Sequence, residues 1–168
     1  IGQAAGMSTN LELVSQRTKI GGNGPILANA LARFGIHLTY LGTLGYPNLH
    51  PVFEDFAKRA ETHSINIPGH TNALEFLDGK IMASHLTPLS EITWELICER
   101  FGKRQFAAKI MGSSLVGFVN WTMIPYMSQI WEKILAEICH GKPATRRKIF
   151  FDLADPEKRT PEDIRHAL

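Results

Sequence analysis

The chain has 168 residues, 44% hydrophobic and 20% charged, with 18 Lys+Arg against 16 Asp+Glu and a net charge of +2. Those proportions belong to a globular chain long enough for one domain with its own core, and they exclude collagen, a disulfide scaffold and a disordered polymer. The balanced charge argues for no nucleic-acid or membrane partner, and two cysteines, Cys98 and Cys139, build no disulfide framework. No apolar run approaches the ~20 residues of a membrane span. Residues 1–11 lack a basic region followed by an apolar core, so no signal peptide is read there. The expectation is a soluble, cytoplasmic protein.

Residues 1–8 are rich in Ala and Gly and read as the tail of a helix. Segment 11–20 reads as one or two short strands leading into Gly21-Gly22. Pro25 to Phe34 predicts a helix, with Leu27, Leu31 and Phe34 on one stripe and Gly35 as its stop. His37 to Leu41 predicts a strand. Pro51 to Ala60 predicts a helix, with Pro51 in its first position. Between two apolar runs, Asp78-Gly79 predicts a hairpin over Ala73–Ser84. Ser90–Phe101 and Lys103–Ile110 predict helices separated by Gly102, and Ser114–Asn120 an apolar strand of the kind covered on both faces. Pro125 to His140 gives the clearest helical periodicity, through Met127, Ile130, Trp131, Ile134, Leu135 and Ile138. Lys148–Leu153 predicts a strand. Thr160-Pro161-Glu162-Asp163 opens a helix with a capping box, and the sequence stops about two turns later. Alternating strands and helices predict an α/β fold with a mostly parallel sheet between helical layers, and the hairpin with segment 11–20 a small side sheet.

Gly21-Gly22-Asn23-Gly24-Pro25, opening into a helix, is the most informative stretch. Glycines there admit close approach of a ligand, helix N–H groups receive polar atoms, and Asn23 offers one donor and one acceptor face to hydroxyls. A plain turn before a helix explains the same residues. A dinucleotide fingerprint would need glycine where Leu27 stands, and neither a Walker A run nor a nucleophile elbow occurs. The seven histidines form no HExxH pair and no zinc spacing with Cys, so no metal ligands are assigned. In an open α/β sheet ligands bind at the carboxyl ends of the strands, where Asn120 and Asp152 fall. Asp155-Pro156-Glu157-Lys158-Arg159, taken alone, reads as a charged turn.

Several of these segments occur in an order that resembles the PfkB family of carbohydrate kinases. Gly21-Gly22-Asn23-Gly24-Pro25 through Ala28, with Leu31-Ala32-Arg33-Phe34-Gly35, is similar to that family's first signature. Tyr40-Leu41-Gly42-Thr43-Leu44-Gly45 is similar to its strand ending in Gly-x-x-Gly. Thr71 fits its lid strands, and Phe151-Asp152 with Asp155-Pro156-x-x-Arg159 its Asp-Pro-Asn-x-Arg element. The resemblance covers about residues 11–168. Three positions depart from the pattern: Ile26 for the usual Asn, Tyr46-Pro47-Asn48 for Asp-Asp, and Glu157 for Asn.

The resemblance implies a ribokinase-like three-layer sheet flanked by helices, with a β lid from about 11–20 and 71–84. It implies transfer of the ATP γ-phosphoryl group, with Mg²⁺, to a hydroxyl of a sugar or nucleoside. Gly21, Gly22, Asn23 and Asn120 would bind substrate, and Asp152, Asp155 and Arg159 would lie on the phosphate side or serve structure. The family's first strand would precede Ile1, and the catalytic base would follow Leu168. The expectation is therefore an incomplete domain without kinase activity of its own, and a homodimer through the lid strands. The departures motivate a second reading, a non-catalytic small-molecule-binding or regulatory protein on the same fold. A third is a complete flavodoxin-like domain.

Overall fold

A computed structural model describes residues 14–141 and 147–167, together with Gly6, Ser8, Asn10 and Glu12. The helix tail expected in 1–8 lies almost wholly outside the described residues. Val14 to Ile20 forms no strand, against the expectation for 11–20. Between Val14 and Lys19 only Val14 is apolar, and it is exposed, so neither face of a strand would have anything to bury.

The first helix, α1, spans Asn23–Arg33 and starts two residues earlier than Pro25. Ala28 and Ala32 form its buried stripe. Strand β1 (Thr39–Gly42) follows. The helix expected over Pro51–Ala60 is shorter, a 3-10 turn at Pro51–Phe53 running into α2 (Glu54–Ala57). Strand β2 (Glu61–Ser64) then pairs parallel with β1, Thr39 opposite Glu61 and Gly42 opposite Ser64. Its sequence, Glu-Thr-His-Ser, carries no apolar run and gives no strand signal. Thr39 Oγ1 donates to Glu61 Oε2 at 2.7 Å, and Lys109 pairs with the same carboxylate.

The hairpin comprises β3 (His70–Phe76) and β4 (Gly79–His85), antiparallel with Phe76 opposite Gly79. Leu77-Asp78 forms its two-residue turn, one position before the expected Asp78-Gly79. Helices α3 (Thr87–Ser90) and α4 (Trp94–Ile97) replace the single helix expected from Ser90. Thr93 caps α4, its Oγ1 accepting from the Leu96 N–H at 3.1 Å. A π-helical turn, Cys98–Gly102, joins α4 to α5 (Lys103–Gly112).

Strand β5 (Leu115–Val119) precedes a 3-10 turn at Trp121–Met123 and helix α6 (Met127–Lys133), which widens into a π-helical stretch over Ile134–Cys139. The wide turns keep Ile134 and Ile138 stacked below Ile130 and swing Leu135 out; Leu135, expected inward, is 66% exposed. Strand β6 (Lys148–Asp152) pairs parallel with β5, Phe118 opposite Phe151. Helix α7 (Pro161–Ala167) has the expected capping box, Thr160 Oγ1 accepting from the Asp163 N–H at 3.1 Å and the Thr160 N–H donating to Asp163 Oδ2 at 3.3 Å.

Two apolar clusters form the core. One gathers Ala28 and Ala32 of α1, Leu44 of the loop after β1, Phe53 of the 3-10 turn and Phe56 of α2, with Tyr40 of β1 against it. The other gathers Trp94, Ile97, Phe106, Ile110, Trp121, Ile130 and their neighbours, and touches Leu41 of β1 as well as Val116 and Phe118 of β5. Successive residues of a strand face opposite ways, so Tyr40 and Leu41 put these clusters on opposite sides of β1. The architecture is α/β.

The expected continuous sheet is not formed among the described residues. β1–β2 and β5–β6 are separate parallel pairs. A cavity of about 2620 Å³ lies against both, lined by all of β1 and β5 but only by Glu61 of β2 and Phe150 of β6. The unpaired edges of β1 and β5 therefore face one space. β5 is accordingly not covered on both faces as expected: Leu115 is 53% exposed. None of the described helices is long and apolar enough to cross a membrane.

Candidate functional site

Gly21, Gly22 and Asn23 lie where the chain enters α1. Gly22 has φ 82°, a backbone conformation that side chains with a Cβ strain to reach, and it occupies the N-cap without a side-chain cap. All three residues line the large cavity, and so does Asn120, the residue that ends β5. Asn120 is itself left-handed, with φ 69°. Asn120 stands at the carboxyl end of β5, the side on which open α/β sheets bind ligands.

Asp152 ends β6 and touches this group. Asn23 Nδ2 donates to Asp152 Oδ2 at 3.2 Å, across 129 residues of sequence. The Ala154 N–H donates to Asp152 Oδ1 at 2.9 Å, and Ala154 has φ 60°. The ends of β5 and β6 are tied directly, because the Thr122 N–H and Thr122 Oγ1 both donate to the Leu153 carbonyl, at 3.3 and 2.6 Å.

Asp155 and Arg159 are placed differently. Asp155 lines the cavity but is paired with Lys158 Nζ at 2.6 Å, which also lines it. The carboxylate holds the Lys158 ammonium above the usual lysine range. Arg159 Nη2 donates to the Pro125 carbonyl at 3.1 Å, and its guanidinium lies 4.6 Å from the centre of the Trp121 ring. Trp121 is 1% exposed and donates to Ser128 Oγ at 2.9 Å, so Arg159 braces the turn after β5.

Tyr40 is a cavity residue that carried no signal in the sequence, where it reads as one more strand position. Its ring packs edge-on against Phe56, and a Cβ placed on Gly24 or Gly42 would fall 2.9 or 2.7 Å from its hydroxyl. Burial pushes the phenol well above the usual tyrosine range. The hairpin reaches the same space through residues 70–75 and Met82. Among the described residues no three His, Cys, Asp or Glu side chains gather as a metal site.

The arrangement offers a polar mouth of small backbone-exposing residues and amides, with an apolar interior behind it. It suits a neutral polyhydroxylated molecule, since amides and free N–H groups hydrogen-bond hydroxyls in either direction. A ketohexokinase from Haloferax volcanii is 28% identical over 157 residues, covering 94% of this chain and 42% of that protein. The chain thus spans less than half the length of this curated relative. No solved structure matches it. The model of the prokaryotic ketohexokinase family matches residues 2–168, and the chain belongs to that family of sugar kinases.

Proposed function

We propose that the protein is the sugar-binding part of a PfkB-type ketohexose kinase with a ribokinase-like fold, which transfers the ATP γ-phosphoryl group to a hydroxyl of the sugar. The observation that carries this reading is the convergence of Gly21, Gly22, Asn23 and Asn120 on one cavity at the carboxyl ends of β1, β5 and β6. Asn23 and Asn120 hold the sugar by their amides, and the Gly21–Gly22 backbone lets it lie close to the start of α1. The β3–β4 hairpin is the lid, since nearly all of β3 and Met82 of β4 already border the cavity. Exposed Phe76 and Ile81, on one face of that hairpin, give a homodimer an apolar surface to bury. The setting is cytoplasmic.

When bound, ATP supplies the phosphoryl group, and Mg²⁺ offsets its charge. The described residues do not fit either group. Asp155 and Lys158 neutralise each other, Arg159 is committed to Trp121 and Pro125, and no carboxylate cluster gathers. These residues bind and orient the acceptor, and the reading assigns them neither the base nor the nucleotide site.

The test is calorimetric titration of this chain with D-fructose, D-ribose and adenosine. Binding of D-fructose in preference to the other two, with no ATP hydrolysis in its presence, is the expected result. Failure of D-fructose to bind overturns the reading. ATP-dependent phosphorylation of the sugar by this chain alone overturns the assignment of the base elsewhere. The commitment of Arg159 also suits a non-catalytic sugar sensor, for which a longer form of the protein would bind D-fructose and never consume ATP.

A further inference from the structure

Asp152 and Asn23 come from opposite ends of the sequence and from the two separate parallel units, and they meet at the cavity mouth. A carboxylate only accepts hydrogen bonds, so the amide group of Asn23 facing Asp152 at 3.2 Å is the NH₂ group. The amide oxygen is then the free end of the side chain; no hydrogen bond to it occurs among the described residues. Asp152 is itself fixed, because its other oxygen accepts from the Ala154 N–H at 2.9 Å. That contact closes a turn in which Ala154 takes φ 60°, a conformation rare for a residue with a side chain. Strained backbone of this kind persists where surrounding contacts determine it, and here the contacts are those that aim Asp152.

We propose that Asp152 is a positioning residue that holds the Asn23 amide with its oxygen toward the cavity, so that position 23 accepts a hydrogen bond from a sugar hydroxyl. The inference rests on the sugar-binding reading given above. It assigns Asp152 an action through Asn23 rather than contact with phosphate. An amide left free would present donor and acceptor faces alternately, and the sugar would spend binding free energy selecting one of them.

The experiment is a double-mutant cycle on D-fructose affinity, measured by calorimetry with the 168-residue chain, using Asn23→Ala, Asp152→Ala, the double variant and Asp152→Asn. Asp152→Ala is expected to weaken D-fructose roughly tenfold, and the double variant to bind no more weakly than Asn23→Ala. Asp152→Asn keeps an oxygen that accepts from Asn23 and is expected to stay within about threefold of the parent. Thermal melts of each variant accompany the cycle. A general structural role for Asp152 would make the two losses multiply, and that result overturns the proposal. Unchanged affinity in Asp152→Ala overturns it as well, while leaving the sugar-binding reading intact if Asn23→Ala is impaired. Unchanged affinity in Asn23→Ala removes Asn23 from the site, and failure of the parent chain to bind removes the sugar reading itself; either sinks the proposal.

Discussion

Tyr40 lies between two glycines, Gly42 crowded by its ring and Gly24 by its hydroxyl. A methyl group at position 24 would sit 2.9 Å from that oxygen but 3.4 Å from the nearest ring carbon. Gly24→Ala is therefore expected to cost about 1–3 kcal/mol through overpacking. Adding Tyr40→Phe to the same chain should recover most of it, as chemical denaturation of the single and double variants will show. Glu61 gives a pH-dependent counterpart. Hydrogen bonds from Lys109, His63 and Thr39 hold its carboxyl at about 2, against 4.5 for the free side chain. A depressed carboxyl stabilises the fold above its unfolded value and ceases to do so as pH falls toward its folded one. Glu61→Gln should flatten the fall in melting temperature between about pH 4.5 and 2 and change its slope little near neutrality. The turn at Gly21-Gly22 that opens α1 was legible in the sequence, because glycine tolerates the positive φ that Gly22 takes before the helix. Tyr40 and the Asn23–Asp152 contact were not, because they depend on where two distant segments land.

At the scale of elements, legibility followed the strength of the local signal. β5, β6 and the α7 capping box stand within a residue of the positions their apolar runs and caps predict, and the hairpin turn within one of Asp78-Gly79, although β3 starts three residues before Ala73. Strand β2 was hidden because its partners are polar and come from β1 and α5. Segment 11–20 was read as one or two short strands on the strength of Leu11, Leu13, Val14 and Ile20, although residues 15 to 19 between them bury nothing. The helix expected from Ser90 starts later because Thr93, not Ser90, accepts from the first turn of α4. Thr93→Ala should cost about 1 kcal/mol of stability in urea unfolding, and Thr93→Ser very little. The π-helical stretch at Ile134–Cys139 explains the exposure of Leu135, and strict α periodicity has no means of foreseeing it. Deleting Leu135 should therefore be tolerated better than deleting Leu31 from the regular α1, as judged by soluble yield and melting temperature.

At the scale of the whole molecule, layers predicted from alternation are present, but the sheet between them is divided. That division explains why β5, expected to be covered on both faces, leaves Leu115 exposed, and why Ile149 and Phe150 of its partner β6 are exposed as well. The cavity against both pairs, about 2620 Å³, is several times larger than the ~300–1,000 Å³ of an ordinary ligand pocket. The Asn23–Asp152 tie has one more consequence, for the order in which the molecule assembles. The partners within each parallel pair are separated by 22 residues in β1–β2 and 33 in β5–β6, whereas the tie spans 129. Short loops close at lower entropic cost than long ones. Each pair with its helix can therefore form as its own cooperative unit, and the contact at the mouth forms last. Native-state hydrogen exchange should find the amides of Leu41 and Phe118 opening at different free energies, with D-fructose drawing the two values together.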